Sequence, residues 1–311
     1  MTKIDLITGF LGSGKTTFIK EYARYLISKG ESIGILENDY GAVNVDMMLL
    51  EELAGENCEL EMVSATCHMD CHKRRFKSKL ISMGMCGYTR VIVEPSGIFD
   101  IDEFFDVLRE DPIDRMYEIG NVITIVDARL EENLSKTSEF YLASQIANSK
   151  AIIFSRAQLV NEQKLTDVKA YLHRAAEHFK LKKDIDSIAV TKDWSAFTEA
   201  DFETIRNCGY EICSYVKDTG DEKAFSSVYL LELSKPLEFV KLRVKTIFNN
   251  NECGDVFRIK GFVFENDIWY EINATKRDFD VKQIKNGQDV IIVIGECLNQ
   301  NLIESILKNG D

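Results

Sequence analysis

The sequence predicts an α/β protein whose mostly parallel sheet has helices on both faces, followed by a smaller α+β domain. Three observations predict this architecture. A strand-like run, a glycine-rich loop and an amphipathic helix come in that order at the N-terminus. Buried strand-like runs then alternate with helical segments, which is typical of a parallel sheet. Beyond about residue 226 the apolar residues alternate instead. With 311 residues, two domains are expected, at 1–225 and 226–311.

Composition limits the possible partners. The formal net charge is −13, which argues against non-specific binding to nucleic acid or to anionic membranes. No apolar run approaches the ~20 residues that a membrane helix needs. Met1 leads directly into the strand-like run KIDLIT, without the basic start of a signal peptide. We therefore expect a cytoplasmic protein whose eight cysteines are thiols or metal ligands rather than disulfides.

The glycine-rich loop carries a phosphate-binding pattern. Residues 9–16 read GFLGSGKT, which matches G-x-x-x-x-G-K-[ST]. An apolar strand precedes the loop, and TTFIKEYARYLISKG follows it as a helix with Gly30 at its C-terminal cap. Glycines let the loop backbone curl around a phosphate, Lys15 reaches the β- and γ-phosphates, and the Thr16 hydroxyl ligates Mg²⁺. The nucleotide contacts expected here are Gly9, Gly12, Ser13, Gly14, Lys15, Thr16 and Thr17.

Five further strands are predicted, and one of them carries the candidate Mg²⁺ ligand Glu94. They are SIGILEN (32–38), TRVIVEPSGI (89–98), NVITIVDA (121–128), KAIIFSRAQ (150–158) and DSIAVT (186–191). Glu94 ends a buried strand, where its carboxylate suits holding Mg²⁺ or a water of that ion. Gly97 follows closely, and its backbone N–H is expected to face the γ-phosphate.

These motifs, in this order, carry a resemblance to a known family. GFLGSGKTT, ILENDYGAVNVD, VIVEPSG, VITIVDA and QIANSKAIIFSRAQLV resemble the CobW-type P-loop GTPases. That family belongs to the SIMIBI-class metallochaperone GTPases, near the urease and hydrogenase nickel-insertion proteins. VFRIKGFVF (256–264) and VIIVIGECLNQNLIESIL (290–307) resemble the small CobW C-terminal domain. The resemblance implies GTP and Mg²⁺ as cofactors and slow GTP hydrolysis, with Lys15 and Glu94 as catalytic residues.

The guanine-reading motif departs from the family pattern. Where the family has Asn-Lys-x-Asp, this chain has Ser155-Arg156-Ala157-Gln158. An aspartate accepts two hydrogen bonds from guanine, whereas Gln158 offers one neutral carbonyl oxygen, and neutral hydrogen bonds are about half as strong. Arg156 is expected to stack its plane on the base. GTP is the expected nucleotide, and weaker base selectivity or use of ATP stays open.

The family's metal motif, Cys-x-Cys-Cys, is replaced by the stretch CHMDCH. If this stretch is helical, Cys67 and Cys71 share a face, and so do His68 and His72. Thiolate and imidazole ligands suit Zn²⁺, and also Co²⁺ or Ni²⁺. Glu37 matches an acidic residue that the family keeps near its metal motif, so it is the fifth candidate ligand. A coincidental cluster of ordinary core residues is the alternative.

A nucleotide switch linked to a metal is the function that these features predict. Thr16, Glu94 and Asp39 are expected to hold Mg²⁺, and residues 39–72 would be ordered by the γ-phosphate and released on hydrolysis. The partner would be a client metalloprotein or a cofactor-dependent enzyme, and a homodimer is possible. Two alternatives stay open: a regulatory GTPase or ATPase that remodels such a client without a metal, and a small-molecule kinase.

The second domain shows strand-like alternation. VKLRVKTIF (240–248) and FRIKGFVF (257–264) both alternate, which favours antiparallel strands with one covered face. DVIIVIG (289–295) is predicted as a buried strand, and LNQNLIESILKNG as a closing helix.

Overall fold

The protein divides into two compact units in a computed structural model. The units are Met1–Gly220 and Asp221–Asp311. The structure describes residues 1–39, 45–64, 69–99, 101–215, 225–285, 287 and 289–308. Within these residues, no helix is both long enough and apolar enough to cross a bilayer.

The first unit alternates strands and helices. Its strands are β1 (Thr2–Thr8), β2 (Ile33–Asp39), β3 (Cys58–Ser64), β4 (Arg90–Pro95), β5 (Tyr117–Asp127), β6 (Ala151–Ser155) and β7 (Ala189–Val190). Its helices are α1 (Lys15–Ser28), α2 (Val45–Leu50), α3 (Met69–Met85), α4 (Ile101–Leu108), α5 (Ile113–Met116), α6 (Lys136–Ala147), α7 (Glu162–His178), α8 (Ile185–Ile188) and α9 (Glu199–Arg206).

All strands of the first unit pair in parallel. Their order is β3-β2-β4-β1-β5-β6-β7. The chain therefore starts in the middle of the sheet and winds outwards in both directions. In such sheets, ligands bind outside the carboxyl ends of the strands. The predicted α/β class is confirmed.

Helices cover both faces of this sheet. On one face, α1, α2 and α9 pack over apolar side chains such as Ile35 and Ile92. On the other face, α3, α4 and α5 pack over Leu36 and Val93, and α6 and α7 pack over the neighbouring strands β5 and β6. The alternation of Ile35 and Leu36 between the two cores follows from the two-residue period of a strand. Strands buried on both faces explain the nearly continuous apolar runs in the sequence.

Three element assignments in the first unit differ from the sequence prediction. β3 was not predicted, because Glu59 and Glu61 alternate with its apolar residues. β5 begins at Tyr117, four residues before the predicted start. The first half of the predicted strand DSIAVT belongs to the short helix α8, whose Asp184 cap accepts a hydrogen bond from the Ser187 amide. Only Ala189–Val190 pairs in the sheet.

The second unit is an antiparallel sheet covered by two helices. The elements are β8 (Phe225–Leu231), α10 (Leu237–Phe248), β9 (Asp255–Glu265), β10 (Ile268–Thr275), β11 (Phe279–Ile284), β12 (Val290–Glu296) and α11 (Gln300–Lys308). The strands are in the order β11-β10-β9-β12-β8. The predicted α+β character is thus confirmed.

The segment VKLRVKTIF was predicted as a strand, and this prediction is wrong. The structure has it as the second part of α10. Its buried side chains follow a helical period: Val240, Val244 and Ile247 pack into the core of this unit, whereas Leu242 is 61% exposed. A helical period and a strand period overlap over a few residues, and here the three-to-four spacing of the buried residues decides.

Candidate functional site

The loop between β1 and α1 has a backbone that only glycines adopt easily. Gly12 and Gly14 have φ values of 73° and 99°, in the left-handed region. Gly9 has a φ of 148°, and a Cβ atom there would lie 2.3 Å from the carbonyl oxygen of Ile125. The predicted phosphate loop therefore needs its three glycines for conformation and for space.

This loop presents backbone donors at a helix N-terminus. The Ser13 amide donates to the Phe10 carbonyl at 3.1 Å. The amides of Leu11, Gly12 and Gly14 donate to no oxygen atom of the described residues. Together with the dipole of α1, these N–H groups form a site suited to an anion such as phosphate.

Lys15, Thr16 and Glu94 come together beside the loop. The Lys15 ammonium group donates to the Gly9 carbonyl at 3.0 Å. The Thr16 hydroxyl donates to a Glu94 carboxylate oxygen at 2.9 Å. All three side chains are buried. Thr17, the next residue of α1, is exposed.

Glu37 lies next to Glu94 on the same face of the sheet. The two residues pair directly across β2 and β4. Glu37 alternates with Leu36, so it points to the α1 face, as Glu94 does. Both carboxylates are buried. The hydroxyl of Thr16 and these carboxylates form an all-oxygen donor set, which fits Mg²⁺. The Asp39 side chain, predicted as a further Mg²⁺ ligand, lies outside the described residues.

Gly97 lies against the phosphate loop. It belongs to a tight turn in which the Phe99 amide donates to the Ser96 carbonyl at 3.1 Å. A Cβ atom on Gly97 would lie 2.7 Å from the backbone nitrogen of Leu11. Only glycine therefore allows the turn to approach the loop so closely. The Gly97 amide donates to no oxygen atom of the described residues.

The predicted base-reading residues lie at the end of β6. Ser155 is buried, and Gln158 is exposed. Arg156 has a left-handed backbone with a φ of 55°. Its guanidinium group donates to the Gly12 carbonyl at 3.2 Å and pairs with the Asp127 carboxylate at 2.9 Å. Arg156 thus ties the phosphate loop to the end of β5.

Trp194 is a site residue that the sequence did not reveal. It follows β7, and its ring edge would lie 3.2 Å from a Cβ atom on Gly14. The same point is 3.7 Å from the Ser155 Cβ. The Trp194 and Phe18 rings are 5.8 Å apart between centroids. The Trp194 ring therefore lies between the phosphate loop and the end of the base-reading strand β6. Neither a motif nor a period indicated it, because this contact joins residues 180 positions apart.

The predicted transition-metal ligands are only partly described. Cys67 and His68 lie outside the described residues, and so does the side chain of Cys71, whose backbone belongs to α3. His72 is 1% exposed. It lies one turn before Phe76, so it faces the sheet from the α3 side. Glu37 points to the opposite, α1 face. Within the described part of the chain, three potential ligands do not cluster.

The cysteines outside this stretch differ in exposure. Burial raises the pKa of Cys58 to about 11. Burial and the charge of Asp5 raise the pKa of Cys208 to about 12. Cys86 and Cys297 are exposed. None of the six cysteines that the structure describes forms a disulfide.

Curated relatives of the chain include several zinc chaperones. It is 26% identical over 199 residues to the zinc chaperone YjiA of Escherichia coli, covering 59% of this chain and 58% of that protein. It is 24% identical over 290 residues to the zinc chaperone CobW of a Sinorhizobium species, covering 83% and 80%. Zinc-regulated GTPase metalloprotein activator 1 of Schizosaccharomyces pombe is 21% identical over 172 residues, covering 53% and 41%. The chain thus spans only about half the length of YjiA and of the S. pombe protein.

Two solved structures match the chain at low sequence identity. The crystal structure of Zn(II)-bound YjiA GTPase from E. coli covers 98% of this chain and 97% of its own, at 16% identity and a TM-score of 0.38. HypB from Helicobacter pylori in complex with nickel covers 66% and 84%, at 15% identity and a TM-score of 0.41. Scores of this size support no argument of their own.

The family follows from the sequence model that the chain matches. The model of the CobW/HypB/UreG nucleotide-binding domain matches residues 3–182, which span β1 to α7 and include the phosphate loop, Glu94 and the base-reading stretch. The resemblance of the second unit to the CobW C-terminal domain lies beyond this match and stays a prediction. Because the match covers more than half of the chain, the protein belongs to the CobW/HypB/UreG family of nucleotide-binding domains.

Proposed function

We propose that this protein is a metallochaperone GTPase. It would bind GTP with Mg²⁺, hydrolyse it slowly, and couple the nucleotide state to binding a transition metal, with Zn²⁺ as the first candidate. The observation that carries the proposal is the contact between Thr16 and Glu94 beside a loop whose amides donate to no oxygen atom of the described residues. The zinc chaperones among the relatives support the choice of cargo.

The residues around the loop would act mainly by positioning and by charge. Mg²⁺, when bound, would neutralise charge on the β- and γ-phosphates. The amides of the loop would hold the phosphate oxygens, and Lys15 would exchange its bond to the Gly9 carbonyl for one to the β,γ-phosphates. Thr16, Glu94 and Glu37 supply the oxygen donors for the ion. We expect slow intrinsic turnover that contact with a client raises.

The coupling would run through the segment between β2 and α3. β2 carries Glu37 next to Glu94, and α3 carries His72 near its first turn. This segment thus connects the Mg²⁺ side of the site to the CHMDCH stretch. Ordering of residues 39–72 by the γ-phosphate would change the geometry of the ligands Cys67, His68, Cys71 and His72. The client would be a metalloprotein or a cofactor-dependent enzyme.

Metal titration tests this proposal. The protein, kept reduced, is titrated with Zn²⁺ and Co²⁺ in the presence and absence of a non-hydrolysable GTP analogue. We expect one-to-one binding with Co²⁺–thiolate absorption bands, and an affinity that changes with the nucleotide. The double variant Cys67→Ser/Cys71→Ser should bind at least about 100-fold more weakly, because two thiolate ligands are lost.

A matched variant controls for the loss of two cysteines. Cys86→Ser/Cys297→Ser removes two exposed thiols outside the stretch, and it should bind metal as the original protein does. Equal weak binding in all three proteins would remove the metal from the proposal and favour the regulatory GTPase without a metal. Metal binding that ignores the nucleotide would contradict the coupling alone.

Base selectivity is a second expected result. Because Gln158 is exposed and neutral, GTP should bind only moderately better than ATP. Gln158→Asp should raise the ratio of GTP to ATP affinity about tenfold, since a carboxylate accepts two charge-assisted bonds from guanine. Trp194 reports binding by fluorescence in a Trp269→Phe background, which leaves one of the two tryptophans.

A nearby glutamine gives the control for charge. Gln163→Asp adds the same charge at an exposed position of α7, the helix that follows the base-reading stretch. It should leave the affinity ratio unchanged. An unchanged ratio in Gln158→Asp as well would mean that Gln158 does not face the base.

A further inference from the structure

Gln145 on α6 makes a buried contact that no sequence motif predicted. Its side chain is fully buried. Its amide nitrogen donates to the Gly97 carbonyl at 2.8 Å, across 48 positions of the chain. The Thr124 hydroxyl on β5 in turn donates to the Gln145 backbone carbonyl at 2.6 Å, which anchors this part of α6 to the sheet.

The contact completes the restraint of the turn that carries Gly97. The Ser96 amide donates to the Asn38 carbonyl at 2.9 Å, and the Phe99 amide donates back to Ser96. These two bonds fix the ends of the turn, and Gln145 fixes the carbonyl in its middle. The Gly97 amide, like that of Ile98, then has no acceptor among the described residues.

We propose that Gln145 is a positioning residue for the γ-phosphate: by holding the Gly97 carbonyl, it fixes the conformation of Gly97 against the Leu11 backbone and thereby keeps the Gly97 amide in place as a donor to the γ-phosphate. The inference rests on the proposed GTP hydrolysis and adds a residue to it. GTP would accept a hydrogen bond from the Gly97 amide through its γ-phosphate, and GDP cannot form this bond because it has no γ-phosphate. Gln145 acts through Gly97 and itself touches no reacting atom.

The side-chain carbonyl of Gln145 argues against a role of this residue in stability alone. The carbonyl oxygen of its side chain is buried and accepts no hydrogen bond from the described residues. A buried acceptor without a donor destabilises a folded protein. Methionine has a similar volume and would avoid that cost. Compared with methionine, the glutamine side chain adds one useful group, the NH₂ that donates to the Gly97 carbonyl.

Nucleotide discrimination tests the inference. In Gln145→Met, kcat for GTP hydrolysis should fall about 10- to 100-fold, because the Gly97 amide is no longer held in position as a donor to the γ-phosphate. The affinity for GMPPNP should fall about tenfold, whereas the affinity for GDP should stay within about threefold. Ser144→Ala is the matched control on the same helix: it removes the buried Ser144 hydroxyl, which accepts a hydrogen bond from the Tyr215 hydroxyl, and leaves the Gln145–Gly97 contact in place. It should leave both affinities and kcat nearly unchanged.

A second variant should show a pH dependence of kcat that a purely structural role of Gln145 would not produce. Gln145→Glu has the shape of glutamine, but its carboxylate cannot donate to Gly97, whereas the protonated acid can. Its kcat, relative to that of the original protein, should therefore rise as the pH falls from 8.5 to about 5.5. Gln145→Met should show no such recovery.

The outcomes separate this inference from the proposed function. Equal losses of GDP and GMPPNP affinity in Gln145→Met, or values that match those of Ser144→Ala, would overturn the positioning role while leaving the GTPase intact. If the original protein binds both nucleotides without hydrolysing GTP, the GTPase fails, and the two affinities still decide the role of Gln145. If it binds neither, both fail.

Discussion

Lys15→Ala should reduce GTP hydrolysis by at least about 10²- to 10³-fold. In phosphoryl transfer the catalyst acts mainly by positioning and by neutralising charge, and loss of one preorganised group has effects of this size. Lys15 is buried beside the loop, with its ammonium group 3.0 Å from the Gly9 carbonyl. Its charge is thus already held where the β- and γ-phosphates are expected. The measurement is steady-state release of phosphate from GTP at saturating nucleotide.

Lys20 offers a control on the same helix. It pairs with Glu52 at 2.8 Å and lies on the surface. Lys20→Ala removes the same charge and the same length of side chain from α1, and hydrolysis should stay within about twofold. Comparable losses in both variants would mean that the overall charge of α1 matters, not the position of Lys15. Unchanged hydrolysis in Lys15→Ala would contradict the assignment of the loop.

The phosphate loop and the sheet were predictable because their signals are local. The loop needs glycines, lysine and threonine at fixed spacing, directly between a strand and a helix. Strands buried on both faces show as apolar runs wherever they lie in the chain. The same locality explains the error at α10. The apolar residues of VKLRVKTIF fit both the alternation of a strand and the spacing of a helix. Only packing in the core of the second unit shows which of the two patterns is used.

The remainder of the site depends on contacts between distant parts of the chain. Trp194 follows β7 at the edge of the sheet and contacts Gly14, which follows β1. Gln145 lies on α6 after β5 and contacts Gly97 after β4, although β1 lies between these two strands. Neither pair has a spacing that a sequence alone would reveal. Arg156 shows a subtler limit. Its place in the base-reading stretch was predictable, but its bonds to Gly12 and Asp127 required the folded loop.

Arg90→Met should lower the free energy of unfolding of the first unit by about 3–5 kcal/mol, because it leaves a buried carboxylate without its charged partner. Arg90 donates to Asp5 at 2.6 Å and to Glu31 at 3.1 Å. Asp5 also accepts hydrogen bonds from Tyr22 and Asn121. Burial raises the pKa of Asp5, and Arg90 opposes that rise. Burial alone would lower the pKa of Arg90, but the carboxylates of Asp5 and Glu31 raise it above the usual value.

Two variants define what the network contributes. Arg115 is a control, because it is 78% exposed and pairs with Asp111 within one turn. Arg115→Met should change the free energy by less than about 1 kcal/mol. The double variant Asp5→Leu/Arg90→Met should recover part of the loss, since both buried charges are gone. Glu31 keeps Arg206 as a partner at 2.8 Å. Urea unfolding followed by far-ultraviolet circular dichroism measures all three.

Loss of the Asp5–Arg90 ion pair should leave nucleotide binding unchanged as long as the protein stays folded. Asp5, Arg90 and Asn121 lie on β1, β4 and β5, whose carboxyl ends carry or adjoin the phosphate loop, Glu94 and Asp127. The network therefore holds together the strands that present the site, without contacting the site itself. GDP affinity of Arg90→Met at 10 °C in the absence of urea should stay within about threefold. A larger loss would mean that the spacing of these strands at the site depends on the ion pair. Equal stability of Arg90→Met and Arg115→Met would show that the buried pair contributes no more than an exposed one.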